Sequence, residues 1–486
     1  MQKKFFTNLV LVLILNVLVK PFYILGIDAE ILKQVESHSP GEYGEYFSIL
    51  GFTFILNIFL DLGITNYNTR NIARNSQSIQ KQFAGIITLR GILSVGYMML
   101  ILISGYFIGY NQHQFKLLGF LAFNQVLVAF ILFFRSNLSG LLLFKQDSII
   151  SILDRFLLII ICSILLWGGI TNQPFQIEWL IWAQTAAYGL TAIIAAYFVI
   201  RKTGRVKLTF NWAFSRDVIQ KSLPYALLIL LMTIYYRSDS VMLERMLPDG
   251  AKEAAIYARG YRFFEALNMV GYLFAGLLLP IFAKLLKQKE SVQDILYFSF
   301  KLILSYSIIL GLGAFFFREE IMVWRFEMSD LELEKAAQTF GLLMLCFISF
   351  TSTYIFGTLL TANGNLKSLN IMAAGGVILN LGLNYILIPT QGAEGAAIAS
   401  LITQVATLLA QFIITFIIID VKIDYKELLR IGLFSVCIIA IGYLFNQLSF
   451  HWAIQFTLVL TVGGIVALLS GMISVKGIIN ILKTEK

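Results

Sequence analysis

The sequence predicts an all-α, polytopic membrane protein of about 14 transmembrane helices, arranged as two six-helix lobes followed by two extra C-terminal helices. Hydrophobic residues make up 58% of the 486-residue chain and charged residues only 13%, with a mean hydropathy of +0.79. Soluble domains carry about 25% charged residues, so a soluble protein is excluded. Most of the chain falls into apolar runs near the ~20 residues that a bilayer-spanning helix needs, too long and unbroken for the roughly 10-residue alternating strands of an outer-membrane barrel. Several runs nevertheless carry arginine: Arg90, Arg135, Arg155, Arg237 and Arg262. Each would cost roughly 2.5 to 3.5 kcal/mol against lipid, so these side chains must face protein or enclosed water.

The helices follow in order from the apolar runs and their polar breaks. The first, 7–27, follows MQKKFF and is interrupted near its end by Pro21 and Tyr23; no small-residue cleavage site follows, so it reads as a retained span and not a signal peptide. The second, 44–64, opens in GEYGEYFSILGF and holds Asp61; the third, 83–109, holds Arg90. The fourth, 117–143, holds Arg135, and the fifth, 148–170, holds Asp154 and Arg155. The sixth, 178–200, ends at the basic stretch RKTGRVKLTFNWAFSRD. The seventh, 221–241, starts near Pro224 and holds Arg237 and Asp239; the eighth, 260–283, holds Arg262 and Glu265 and ends near Pro280. The ninth and tenth, 294–317 and 336–361, flank an acidic segment, 318–335, read as a short amphipathic piece at the outer surface. The eleventh, 367–390, contains Gly375-Gly376, Asn380, Asn384 and Pro389, candidate points of hinging or close packing. The twelfth to fourteenth are 395–419, 428–447 and 452–475.

Similar segments recur between the halves. Tyr43 of GEYGEYFSILGF and Tyr257 of AAIYARGYRFFE are 214 residues apart; Gly140 of SGLLLFKQDS and Gly357 of FGTLLTANGN are 217 apart. Near-equal offsets pairing helices of the same direction imply a duplication about an axis along the membrane normal. The expected organisation is an N-lobe at 1–200, a basic cytoplasmic linker at 201–220, a C-lobe at 221–419, and helices thirteen and fourteen with a tail at 420–486.

Lys and Arg concentrate in alternate loops, about 22 against about 8, which places both termini in the cytoplasm of an inner or plasma membrane. The net charge of +9 is thereby assigned to cytoplasmic loops, and no basic aromatic platform points to nucleic acid.

On the seventh helix Arg237, Val241 and Glu244 share a face, with Asp239 offset; on the eighth, Arg259, Arg262 and Glu265 step by three along one face. This group is expected toward the outer side, near Lys20. A second group, Asp61, Arg90, Arg135, Asp154 and Arg155, is expected nearer the cytoplasm. The cations Lys20, Arg90, Arg135, Arg155, Arg237, Arg259 and Arg262 are candidate anion-binding residues; Asp61, Asp154, Asp239 and Glu265 are candidate charge partners or coupling groups. Arginine suits phosphate because its planar fork donates two hydrogen bonds to two oxygens. No GxxxxGK[ST] loop occurs, so this chain is not expected to hydrolyse ATP. His38, His113 and His451 are scattered without metal spacing, and Cys162, Cys346 and Cys437 lie far apart inside helices, so neither a metal nor another cofactor is expected.

At three places the chain resembles the polysaccharide and oligosaccharide-lipid flippases, the O-antigen-type exporters of the multidrug/oligosaccharidyl-lipid/polysaccharide superfamily. These are YGEYFSILGFTFILNIFLDLGITNYNTRNIAR at 43–74, YYRSDSVMLERMLPDGAKEAAIYARGYRFFEAL at 235–267 and GTLLTANGNLKSLNIMAAGGVILNLGLNYILIPTQGAEGAAIASLITQ at 357–404. The resemblance implies transfer of an undecaprenyl-diphosphate-linked sugar repeat unit to the outer leaflet by alternating access, for cell-surface polysaccharide such as lipopolysaccharide. It implies membrane lipids, a polysaccharide polymerase and glycosyltransferases as partners, and leaves coupling open among the membrane potential, Na⁺ and H⁺. A multidrug exporter of the same superfamily is the rival, but it predicts cavity acids, and no Asp or Glu occurs between Phe5 and Ile27. A peptidoglycan-precursor flippase is a further alternative. A membrane polymerase or ligase would need a sizeable catalytic outer loop, and the longest here are only about 15 to 18 residues, so the chain is not expected to be an enzyme.

Overall fold

Residues 16–22 are helical and run directly into a π-helical turn, Tyr23–Asp28, followed by α1, Ala29–His38. This computed structural model describes residues 16–65, 68, 72, 78–141, 143–170, 173–203, 209–419 and 421–473. The first expected span therefore lies partly outside the described residues.

Among them the protein is all-helical. After α1 come α2 (Glu42–Leu56), α3 (Ile58–Asp61), α4 (Ser78–Ile108), α5 (Gln112–Gly140), α6 (Phe144–Trp167), α7 (Ile177–Thr203) and α8 (Trp212–Met246). Then follow α9 (Gly250–Gln288), α10 (Gln293–Phe316), α11 (Arg318–Arg325), α12 (Asp330–Ala362), α13 (Leu366–Ile418), α14 (Tyr425–Asn446) and α15 (Trp452–Leu469). Twelve described spans are long and apolar enough to cross a membrane, α2 and α3 together making one of them. One of these, α13, has 53 residues, a straight length of roughly 80 Å against a hydrocarbon core of ~30 Å. It is broken at Gly392, whose φ of 55° and ψ of −131° lie outside helical space, so it supplies the expected eleventh and twelfth spans. The 318–335 segment forms the eight-residue α11 before α12 begins at Asp330.

Two compact units result, Met1–Ala255 and Ile256–Lys486. In the first, α8 packs against α2, and α5 against α7. Close approach is set by small residues: a Cβ at Gly51 would stand 2.7 Å from Ser240 Oγ, and one at Gly44 would meet the Ala251 carbonyl and lie 2.6 Å from Ala255 N. A carboxylate caps the start of α2, where Glu36 accepts from the backbone N–H of Gly41 at 2.8 Å and of Tyr43 at 2.9 Å. The expected linker at 201–220 is divided between α7, which ends at Thr203, and α8, which begins at Trp212.

In the second unit α12 packs along α13 and α10. Helices α14 and α15 attach to α10 through an apolar cluster of Leu304, Ile308, Ile309, Phe434, Ile438, Ala467 and Met472. Large apolar side chains such as Phe107, Ile378, Ile417 and Leu469 are exposed. A soluble protein would not expose so many, whereas hydrocarbon solvates them.

Candidate functional site

In the first unit the second span breaks where its acid sits. Asn57 separates α2 from α3, and Leu62 and Gly63 both adopt positive φ, ending the helix just past Asp61. Asp61 accepts from the freed Thr65 N–H at 3.1 Å and from the Thr65 hydroxyl. Arg90 of α4 completes the group: its guanidinium pairs with Asp61, donates to Thr65 Oγ1 at 2.7 Å and to the Ala129 carbonyl at 2.9 Å, and stacks over Phe133 at 5.0 Å. Arg90 is 1% exposed. The sequence suggests a cavity-lining residue; in this conformation Arg90 fastens α4 to α3 and α5.

A more open cationic group forms around residue 155. Asn16 donates to Ser151 Oγ at 3.3 Å. Lys20 lies one turn beyond Asn16 and Arg155 one turn beyond Ser151, so this pairing brings the two cations together when both segments run the same way. The charged neighbours of Lys20 are Arg155, Asp154 and Arg135, so it joins the group expected nearer the cytoplasm and not Arg237 of the same unit. Arg155 donates to Tyr188 Oη at 3.0 Å and stacks over Tyr23 at 5.0 Å, with Asp154 at 3.9 Å. Arg135 is held by Asp147 at 2.7 Å. Arg155 remains 31% exposed and Arg135 26%. Lys20, Arg135 and Arg155 thus gather beside Asp147 and Asp154, with Asp28 close to the same two tyrosines.

Arg237 and Asp239 also belong to the first unit. The Gly51 to Ser240 approach seats this turn of α8 on α2, and Arg237 lies over the Phe54 ring at 4.6 Å, half-buried. Asp239 is buried. The second unit holds the eighth-span residues. Gly260 lets α9 approach α12, a Cβ there standing 3.0 Å from Phe340 Cα. Arg259 donates to Glu332 at 2.6 Å and Arg262 to Glu265 at 2.9 Å, both arginines buried. Arg259 therefore ties α9 to the start of α12.

The sequence reading missed Asp147, Glu332, Tyr23 and Tyr188. Asp147 lies in the first turn of α6, one residue before the expected start of that span, and Glu332 lies in the segment read as an outer loop. Helix extensions beyond the apolar core were the signal available for both acids. The tyrosines carried none, since the π-turn that aims Tyr23 is not written in hydropathy.

A family model described as polysaccharide biosynthesis protein matches residues 39–286. Among curated protein sequences none matches. By structure the chain is similar to the lipid II flippase MurJ in an inward closed conformation, with a TM-score of 0.69 and 16% identity over 95% of this chain and 96% of that one. It is similar to an inward-facing multidrug resistance MATE family transporter of the MOP superfamily, with a TM-score of 0.64 and 15% identity over 82% and 94%. It also matches a MOP superfamily transporter from Pyrococcus furiosus Vc1, described as having a binding pocket of reverse polarity, with a TM-score of 0.58 and 15% identity over 86% and 95%. At such identities these likenesses establish a shared fold.

Proposed function

Since the chain belongs to the polysaccharide biosynthesis protein family, we propose that it is a flippase. It carries undecaprenyl-diphosphate-linked oligosaccharide repeat units from the cytoplasmic to the outer leaflet of a bacterial inner membrane by alternating access, and acts as a transporter and not an enzyme. The observation that carries this reading is the gathering of three cations, Lys20, Arg135 and Arg155, with both arginines still partly open. Such a group prefers an anion, and arginine forks suit the adjacent oxygens of a diphosphate. Sugar and diphosphate cross inside the protein while the polyprenyl tail stays in lipid.

Outward movement of an anion across an inside-negative membrane is favoured by about 2.3 kcal/mol per charge per 100 mV, so the potential can drive export, with Na⁺ or H⁺ as an added coupling ion. Both termini lie in the cytoplasm in this reading. A polymerase would consume the exported unit, and glycosyltransferases would supply it. A peptidoglycan-precursor carrier would use the same anion chemistry. A multidrug exporter fits less well, because Asp147 is held by Arg135 at 2.7 Å instead of standing as an acceptor for a cationic drug.

The test is a leaflet assay in reconstituted liposomes, comparing protein-dependent movement of a diphosphate-linked lipid oligosaccharide with that of a cationic dye. Movement of the lipid oligosaccharide alone is the expected result; movement of the dye alone would overturn the reading in favour of drug export.

A further inference from the structure

Three helices of the first unit, α2, α5 and α7, bring Glu42, His113 and Glu178 together from their opening turns. One carboxylate oxygen from each glutamate and one ring nitrogen of His113 all lie within 4.8 Å of one another. The sequence shows no metal spacing at His113, because the three residues come from three separate helices and meet only in the fold. We propose that Glu42, His113 and Glu178 form a divalent-cation site of zinc type, distinct from the cationic group around Arg155.

Three features support it. The first is the donor set. Imidazole nitrogen with carboxylate oxygens suits zinc, and three protein ligands leave a position for water or another ligand. The second is geometry. His113 Nε2 lies 3.3 Å from Glu178 Oε1. Zinc bonds of about 2.0–2.1 Å imply a tetrahedral edge of roughly 3.3–3.4 Å, so this pair is already at ligand spacing and the remaining gap closes by side-chain rotation. The third is what stands behind the imidazole. The other ring nitrogen, Nδ1, faces Glu45 Oε2 at 3.9 Å. At that distance the carboxylate is beyond hydrogen-bond length, and a small turn of the ring would let it accept from Nδ1 and so fix the tautomer of a ligating histidine.

The electrostatics point the same way. Glu42, Glu45 and Glu178 surround one imidazole, and Lys116 stands 3.9 Å from Glu178. Lys116 is half exposed and also reaches over the Trp182 ring at 5.9 Å. Three converging carboxylates with one loosely held cation favour binding of a doubly charged ion. Bound zinc would clip the starts of α2, α5 and α7 to one another.

The experiment is zinc titration of the chelator-stripped full-length protein in detergent, read by competition with a chromophoric chelator and by thermal unfolding. The wild type should take up zinc saturably and unfold at a higher temperature with it. His113→Ala and Glu178→Gln should each weaken this uptake at least tenfold, and Glu45→Gln should weaken it about tenfold, the usual effect of losing a partner behind a ligand. Lys116→Ala should move affinity the opposite way, tightening zinc. Each variant is first checked for a monodisperse peak, so that Glu178→Gln can answer if His113→Ala does not fold. Absence of saturable uptake by the wild type, or wild-type affinity in both His113→Ala and Glu178→Gln, would overturn the proposal.

Discussion

Gln114 of α5 donates through Nε2 to Glu244 of α8 at 3.1 Å, while its Oε1 accepts from Arg245 at 3.0 Å, so one amide bridges two adjacent opposite charges. The same glutamine belongs to a capping box with Asn111 at the start of α5. Arg245 pairs with Glu244 at 2.5 Å and stacks over Tyr110 at 4.2 Å. Burial holds the Tyr110 phenol well above its ordinary pKa, so the ring meets Arg245 uncharged. Replacing Gln114 by Ala removes a partner from both ions and should cost about 1–3 kcal/mol. Arg245→Ala should cost more, about 3–5 kcal/mol, because the Glu244 carboxylate is only 7% exposed. Thermal unfolding in detergent checks both, and equal effects would mean that the amide, not the ion pair, holds this corner.

Asp61 and Arg90 make a second test of buried charge. Asp61→Ala strands a guanidinium in the interior and should destabilise by about 3–5 kcal/mol. The double variant Asp61→Ala/Arg90→Met removes both charges and should recover most of that loss. A double-mutant cycle on unfolding temperature measures it; strictly additive losses would show that the pair is not coupled.

Gly44 and Gly91 should respond oppositely to the same substitution. A methyl at Gly44 has no room beside Ala251 and Ala255, so Gly44→Ala should cost about 1–3 kcal/mol or prevent α2 from seating. Nothing lies within 4 Å of a Cβ at Gly91, where alanine should gain about 0.5–1 kcal/mol from helix propensity. Comparative unfolding of the two variants decides this.

Transport should depend on arginines in each of these surroundings. Arg155→Ala and Arg237→Ala should abolish movement of the lipid-linked oligosaccharide while leaving expression and unfolding temperature near wild type. Arg155→Lys should restore it only in part, since lysine keeps the charge but loses the planar stacking on Tyr23. Arg262→Ala should also abolish transport. Because Arg262 is buried against Glu265, its variant needs the same stability control. Normal transport in all of these variants would remove the anion-site reading.

Much of the fold could be read from the chain because lipid imposes a length on apolar runs, and that length is visible in hydropathy. What hydropathy does not mark is the polar continuation of a helix beyond the hydrocarbon: α8 starts at Trp212, nine residues before the expected 221, and α9 spans Gly250–Gln288 around the expected 260–283. The arginines were legible as residues needing partners, but the partners were not. Glu332 lies 73 residues from Arg259, and Asp61 lies 29 from Arg90, at spacings fixed by packing and not by helical period. Lys20 shows the same limit, since its neighbours depend on which helix Asn16 meets.

The break at Gly392 has a mechanical consequence. Two spans joined by a single residue have no slack between them: Gly395 already stands against the Leu387 carbonyl, so the reversal is completed within one helical turn on either side. Rotation or sliding of one half is therefore passed to the other without a loop to absorb it. Inserting one residue within the helical part just after Gly392 would turn the rest of that span by ~100° and carry its protein-facing stripe out of register. The two arms behave as one bent lever whose elbow tolerates neither added length nor, at that backbone angle, any side chain.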